Sequence, residues 1–172
     1  WPSKPIRLVV PFAPGGSSEI VARALASEMA KTIGQNVFVE NKPGAAGNIG
    51  AADVAKAAPD GSTLMFGIDS TFTINPHLYA NQGFKVGDLK PVIIMASSGL
   101  LIGMSPGSGI RSVGDLLSQG RQRTLNFSNG GNGSPGHLAA AVLSSTTPVK
   151  IASVPYKGNT PAVTAVLAGE VD

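Results

Sequence analysis

Two glycine-rich stretches carry the residue types best suited to chemistry. The first is Val9-Val10-Pro11-Phe12-Ala13-Pro14-Gly15-Gly16-Ser17-Ser18-Glu19, where an apolar run enters a Pro/Gly loop and a helical pattern starts immediately behind it. Glycine lets the backbone approach a guest closely, and Ser17 or Ser18 suits an N-cap. Free N–H groups at a helix start, with the positive end of the helix dipole behind them, favour an anion. The same stretch reads equally well as a tight strand-to-helix turn with no ligand. What favours the anion reading is a second loop of the same kind, Asn129-Gly130-Gly131-Asn132-Gly133-Ser134-Pro135-Gly136.

Other apparent motifs carry less. Gly131 to Gly136 matches G-x-G-x-x-G between a strand and a helix, but a dinucleotide site also wants an acid about 20 residues on for the ribose. No Asp or Glu occurs between Asp115 and Glu170. Gly103-Met104-Ser105-Pro106-Gly107 matches G-x-S-x-G, with Asp115 and His137 following in hydrolase order. The nucleophile elbow uses the N–H after the serine as an oxyanion donor, and Pro106 has none. His77 and His137 stand alone and read as structural or surface residues. No catalytic set and no metal cluster is expected, and no cofactor.

The elements that must position these loops follow from periodicity. Pro5 to Val10, Asn36 to Val39 and Thr63 to Ile68 read as buried parallel strands. Helices are expected from Ser18 to Ile33, with Gly34 as the C-cap glycine, and from Ile49 to Ala58. That is β-α-β-α-β, the opening of a doubly wound α/β sheet. Thr73 to Asp88 reads as loop with a helical turn. Val92 to Ala96 and Leu100 to Met104 read as apolar strands around Ser97-Ser98-Gly99, where a domain crossover is placed, giving domains 1–98 and 99–172. A capping box variant at Ser112 to Asp115 opens a short helix. Strands at Thr124 to Ser128 and Val149 to Val154 follow, each with a helix behind it, from His137 and from about Asn159. Gly169-Glu170-Val171-Asp172 is about to enter another strand, so the chain looks truncated at its C-terminus.

Composition narrows the class. Charged residues make up only 13% of the chain and its 13 Lys and Arg are scattered, which argues against a nucleic-acid surface and against disorder. There is no cysteine, so neither a disulfide scaffold nor a thiolate metal site is available. No apolar run approaches the roughly 20 residues that span a bilayer. The start, Trp1-Pro2-Ser3-Lys4-Pro5, has no signal-peptide core, which leaves a cytosolic chain or an exported and processed one.

Four loops follow strands: Ala13 to Ser18, Asp69 to Thr71, Asn129 to Ser134 and Tyr156 to Thr160. Ligands of α/β sheets bind beyond the carboxyl ends of the strands. Few charges lie in these loops, so an anion would be held by neutral donors and helix ends, each worth roughly 0.3–1 kcal/mol when exposed.

Several motifs together resemble one family. Pro2-Ser3-Lys4-Pro5-Ile6-Arg7, Val10 to Ser17, Val39-Glu40-Asn41-Lys42-Pro43-Gly44-Ala45, Gly47-Asn48-Ile49-Gly50, Ala57-Ala58-Pro59-Asp60-Gly61 and Val154-Pro155-Tyr156-Lys157-Gly158 look like the Bug-type (TctC-like) solute-binding receptors of tripartite tricarboxylate transporters. The resemblance implies a two-domain, type II periplasmic-binding-protein ("Venus flytrap") fold. It implies a periplasmic monomer that captures a small organic acid or amino-acid-like carboxylate in an interdomain cleft and passes it to membrane permease subunits. By the same resemblance, Phe12, Ala13, Pro14, Gly15, Gly16 and Ser17 form the first carboxylate-binding loop, and Asp69, Ser70 and Thr71 face the ligand. Asn129, Asn132, Gly133 and Ser134 grip its other end, and Tyr156 helps to close the cleft, with Lys157 beside it.

Two positions depart from the family pattern. Glu19 stands where Asp is usual, and Asp69 where small neutral residues are common. An ionised Asp69 facing a carboxylate would repel it, which points to a ligand with a cationic or donor group. The competing readings are an enzyme on a related bilobal fold and an effector-binding regulatory domain. The missing catalytic set weighs against the first, and the absence of a helix-turn-helix upstream weighs against the second.

Overall fold

The computed structural model describes every residue from Trp1 to Asp172. The chain divides into two compact units, Trp1–Val92 and Ile93–Asp172; the sequence had suggested a boundary after residue 98.

The first unit is built on a three-stranded parallel sheet in the order β2-β1-β3, with β1 Ile6–Val10, β2 Val37–Asn41 and β3 Thr63–Met65. Alternation along the central strand sorts its side chains. Ile6, Leu8 and Val10 are buried against Ala22 and Ala26 of helix α1 (Ser17–Ile33). Leu25, Met29 and Ile33 extend that face. Gly34 closes the helix in the left-handed region at φ 66°, donating its N–H to Ala30 C=O. On the other face of β1, Arg7 reaches Asp53 of helix α2 (Asn48–Ala55) at 2.8 Å and Glu40 of β2 at 2.9 Å. Lys42 completes the group, 2.6 Å from Asp53. These pairs hold the Asp53 carboxyl below its usual range, the Lys42 hydrogen bond contributing most. Two short helices follow, α3 (Ser70–Thr73) and α4 (Asn75–Leu78), where the sequence suggested little beyond loop.

The second unit has two parallel strands, β4 (Leu125–Asn129) and β5 (Ile151–Pro155). Helices α5 (Val113–Gln122), α6 (Pro135–Thr146) and α7 (Asn159–Leu167) accompany them. Ile110, Leu116, Leu125 and Val149 form its buried core. Gly120 of α5 lies directly against Val149, closer than any side chain there would allow. Asp172 runs beside β4, its N–H donating to Asn126 C=O at 3.1 Å and its carboxylate accepting from Asn126 N–H at 2.9 Å.

Two expected strands are absent. Neither Val92 to Ala96 nor Leu100 to Met104 joins a sheet. A strand persists only where its backbone groups find a neighbour. These stretches find none in the chain, and Ile94 and Leu101 are left 89% and 97% exposed.

Candidate functional site

In each unit the strands are parallel, so the loops that leave their carboxyl ends share one edge of the sheet. In the first unit the loop after β1 runs from Pro11 to Gly16 and opens α1. Its cap differs from the expected one. Gly16 is the N-cap, and neither Ser17 nor Ser18 bonds the helix start with its side chain. Glu19, one turn in, takes over. Its Oε2 accepts the Gly15 N–H at 2.5 Å, and its Oε1 lies 2.8 Å from Arg23 Nε and 2.6 Å from Arg23 Nη2. Gly15 adopts φ 85°, a conformation open to glycine at little cost. The Gly15 hydrogen bond, then Arg23, holds the Glu19 carboxyl below its ordinary range. The N–H groups of Glu19 and Ile20 turn back to Gly16 C=O, so those of Gly16, Ser17 and Ser18 lie ahead of the first intrahelical bonds. Phe12 is fixed through its C=O, which accepts from Asn41 Nδ2 at 2.9 Å. Ala13 is half-buried; Pro14, Gly15 and Ser17 are exposed.

The loop after β3 meets this edge through an intermediary, the turn Gly44–Gly47, that no local motif marks as part of the site. Residues Gly44 to Gly47 all have positive φ: 133° for Gly44, 47° for Ala45, 50° for Ala46 and 95° for Gly47. Two consecutive alanines in the left-handed region are unfavourable by roughly 1–2 kcal/mol each. A buried amide cluster holds them there. Ala46 C=O accepts from Thr71 Oγ1 at 3.1 Å and from Asn75 Nδ2 at 3.0 Å. Asn75 Nδ2 also donates to Asn48 Oδ1 at 2.9 Å, and Gln82 Nε2 donates there at 3.2 Å. A side chain on Gly47 would strike Thr71 Oγ1 at 2.7 Å and approach the Phe12 ring at 3.5 Å, so all three loops converge on Gly47.

The expected residues therefore divide by what they do. Thr71 is fully buried and its hydroxyl is committed to Ala46, so it positions the loop. Ser70 is 1% exposed. Asp69 is exposed and caps α3, its Oδ1 accepting the Ser70 N–H at 2.8 Å.

In the second unit the loops after β4 and β5 adjoin. Tyr156 N–H donates to Asn129 C=O at 2.9 Å, and a side chain on Gly130 would meet Asn159 Oδ1 at 2.5 Å. The starts of α6 and α7 are thereby brought together, and neither has an acid in its first turn. Asn129 is buried, donating Nδ2 to Ser153 Oγ at 2.8 Å and accepting Gly131 N–H at 3.0 Å. It shapes the loop from behind. Ser134 caps α6 through Oγ, accepting His137 N–H at 3.3 Å. Gly133, at φ 91°, donates its N–H to His137 Nδ1 at 3.3 Å. Asn132 is exposed at the tip of the loop.

Parallel sheets edged by glycine-rich, weakly charged loops at helix starts suit an anionic small molecule. Residues 21–172 match the model of the tripartite tricarboxylate transporter family receptor. The chain belongs to the tripartite tricarboxylate transporter receptor family. A UPF0065 protein of Bordetella pertussis is 34% identical across all of this chain and 54% of its own length. Protein BugT of the same species is 35% identical over 99% of this chain and 54% of its own. Among solved structures, R. palustris Rpa4515 with adipate superposes with a TM-score of 0.95 at 35% identity, covering 99% of this chain and 58% of that one. MatC from Rhodopseudomonas palustris with bound malate gives 0.86 at 31%, covering 100% and 60%. The periplasmic binding protein BugD gives 0.84 at 31%, covering 100% and 58%. The fold class is thus that of the α/β periplasmic binding proteins, and this receptor-family chain spans somewhat over half the length of its relatives.

Proposed function

We propose that this chain is part of a periplasmic, non-enzymatic receptor that captures a small carboxylate and presents it to the membrane permease subunits of a tripartite transporter. The observation that carries this reading is the pair of glycine-rich helix-start loops, Pro11–Gly16 and Gly130–Ser134, in a receptor family whose solved relatives hold adipate and malate. In the first unit the groups offered to a carboxylate are the N–H groups of Gly16, Ser17 and Ser18 and the edge formed by Phe12, Ala13, Pro14, Gly15 and Asp69, with Ser70 buried behind it. In the second unit the residues offered to a carboxylate are Asn132, Gly133, Ser134 and Tyr156. Asn129 and Thr71 act from behind, as their buried bonds dictate. Neutral donors suit a receptor that must release its cargo. Each exposed helix end contributes only roughly 0.3–1 kcal/mol, so affinity is assembled from many small contacts.

A thermal-shift screen of the full-length receptor tests the proposal. The panel runs over adipate, malate, tricarboxylates, amino acids and pyridine carboxylates. A ligand at 100 times its Kd stabilises by about 2.7 kcal/mol. No shift from any member would overturn the receptor reading.

A further inference from the structure

The helix starts of the two units differ in one respect. The α6 and α7 starts carry no acid, whereas the α1 start holds its own carboxylate, that of Glu19. Glu19 is only 8% exposed, although it is charged and sits at a loop edge. Buried charges of this kind persist when paired and hydrogen-bonded, and here both conditions are met. One oxygen receives the Gly15 N–H at 2.5 Å and the other the Arg23 guanidinium at 2.6 and 2.8 Å.

This arrangement has two consequences for a guest. The Gly15 N–H, one of the donors the loop could have offered, is already occupied by a protein carboxylate. A negative charge also stands at the same helix end that is to receive a negative ligand, and like charges in one site disfavour each other. Arg23, one turn further along α1 with a side chain 59% exposed, supplies the compensating positive charge from the solvent side.

We infer that Glu19 is a positioning and specificity-determining residue of the first-unit loop, fixing Gly15 in its left-handed turn, with Arg23 cancelling the charge that an incoming carboxylate would otherwise meet. The inference rests on the receptor reading above. It also makes Arg23, through its pairing with Glu19, a residue on which the affinity for anions depends.

The test is calorimetric titration of the full-length receptor with adipate and with malate, at low and moderate salt, for the unsubstituted protein, Glu19→Gln, Glu19→Ala, Arg23→Ala and the double variant Glu19→Gln/Arg23→Ala. Glu19→Gln keeps an acceptor for Gly15 N–H and should bind within about threefold of the parent. Glu19→Ala frees the turn and should bind about tenfold more weakly. Arg23→Ala leaves the Glu19 charge uncompensated and should weaken binding about fivefold at low salt, less as salt screens it. Adding Glu19→Gln to Arg23→Ala should restore binding to within twofold of Glu19→Gln alone. A purely structural role for the pair gives no such recovery, because the double variant then binds no better than Arg23→Ala. That result, or an Arg23→Ala variant binding within twofold of the parent, overturns the inference and leaves the receptor reading standing. If the unsubstituted protein binds neither acid, the same titrations use the panel member that shifts its melting most; binding of no panel member overturns the receptor reading, and this inference with it.

Discussion

Removing Thr71 and Asn75 together should cost more than the sum of removing each, because they share one buried acceptor. Both residues are fully buried, and both donate to Ala46 C=O, from 3.1 Å and 3.0 Å. Thr71→Val keeps the shape and deletes one hydrogen bond, an expected loss of about 0.5–1.5 kcal/mol. Asn75→Ala deletes two, to Ala46 C=O and to Asn48 Oδ1, for about 1–3 kcal/mol before any cavity effect. Each single variant leaves Ala46 C=O one partner. Asn48 Oδ1 keeps Gln82 Nε2 in both. The double variant leaves the carbonyl with none, and an orphaned buried acceptor costs a further ~1–3 kcal/mol. Urea unfolding of the four proteins gives the cycle. The expected coupling is at least about 1 kcal/mol in the direction of extra destabilisation. Additivity to within ~0.5 kcal/mol, as found for independent sites, would refute the shared-clamp reasoning. It would also separate the Gly44–Gly47 turn from the α3–α4 segment as a unit of stability. The cycle has a functional arm as well, since a loosened turn should raise the ligand Kd in step with the stability loss.

Three further outcomes follow from the same structure. Ala45→Gly, at φ 47°, should be neutral or stabilising by up to about 1 kcal/mol in thermal unfolding, the reverse of an ordinary Ala→Gly change, since glycine relieves the left-handed strain. Asp69→Asn should leave stability within ~0.5 kcal/mol, because Asn serves as an N-cap as well as Asp does. If the Asp69 charge is felt by the guest, the same variant should bind a plain dicarboxylate more tightly than the parent. Equal calorimetric affinities would remove the repulsion argument. Acid should also destabilise the chain. Asp53, held low by Lys42 and then Arg7, and Asp172, held low by Arg123, have folded pKa values below their unfolded ones. Their contribution is therefore complete above about pH 4 and is lost as pH falls through the folded values. Urea midpoints should be flat from pH 7 to 5 and fall below about 4, and Asp53→Asn should blunt that fall.

The parallel βαβ framework was legible because its signals are local. β1 announces itself by a β-branched apolar run, α1 by its periodicity and by Gly34 at its end, and α5 by Ser112, whose Oγ accepts Asp115 N–H at 3.1 Å. The two glycine loops were legible for the same reason. The role of Glu19 was not. A Glu three residues past Gly16 is an ordinary first-turn acid until the fold shows Gly15 N–H beneath it. The Gly44–Gly47 turn was not legible because its conformation is imposed from afar. Asn75 lies 29 residues from Ala46 and precedes a proline, which in isolation signals only a turn. The stretch from Val92 to Met104 went wrong for a related reason: apolar, β-branched sequence specifies a preference for pairing and not the presence of a partner.

That last stretch has a practical consequence. Between Lys90 and Arg111 there is no charged residue, and the run contains Val92-Ile93-Ile94-Met95 and Leu100-Leu101-Ile102, most of it bare to solvent. High β-propensity, low charge and unpaired backbone are the ingredients of intermolecular cross-β stacking. These 172 residues carry their own aggregation seed, and aggregation should increase with concentration. A single Lys at Ile94 or Leu101 would act as a gatekeeper against it.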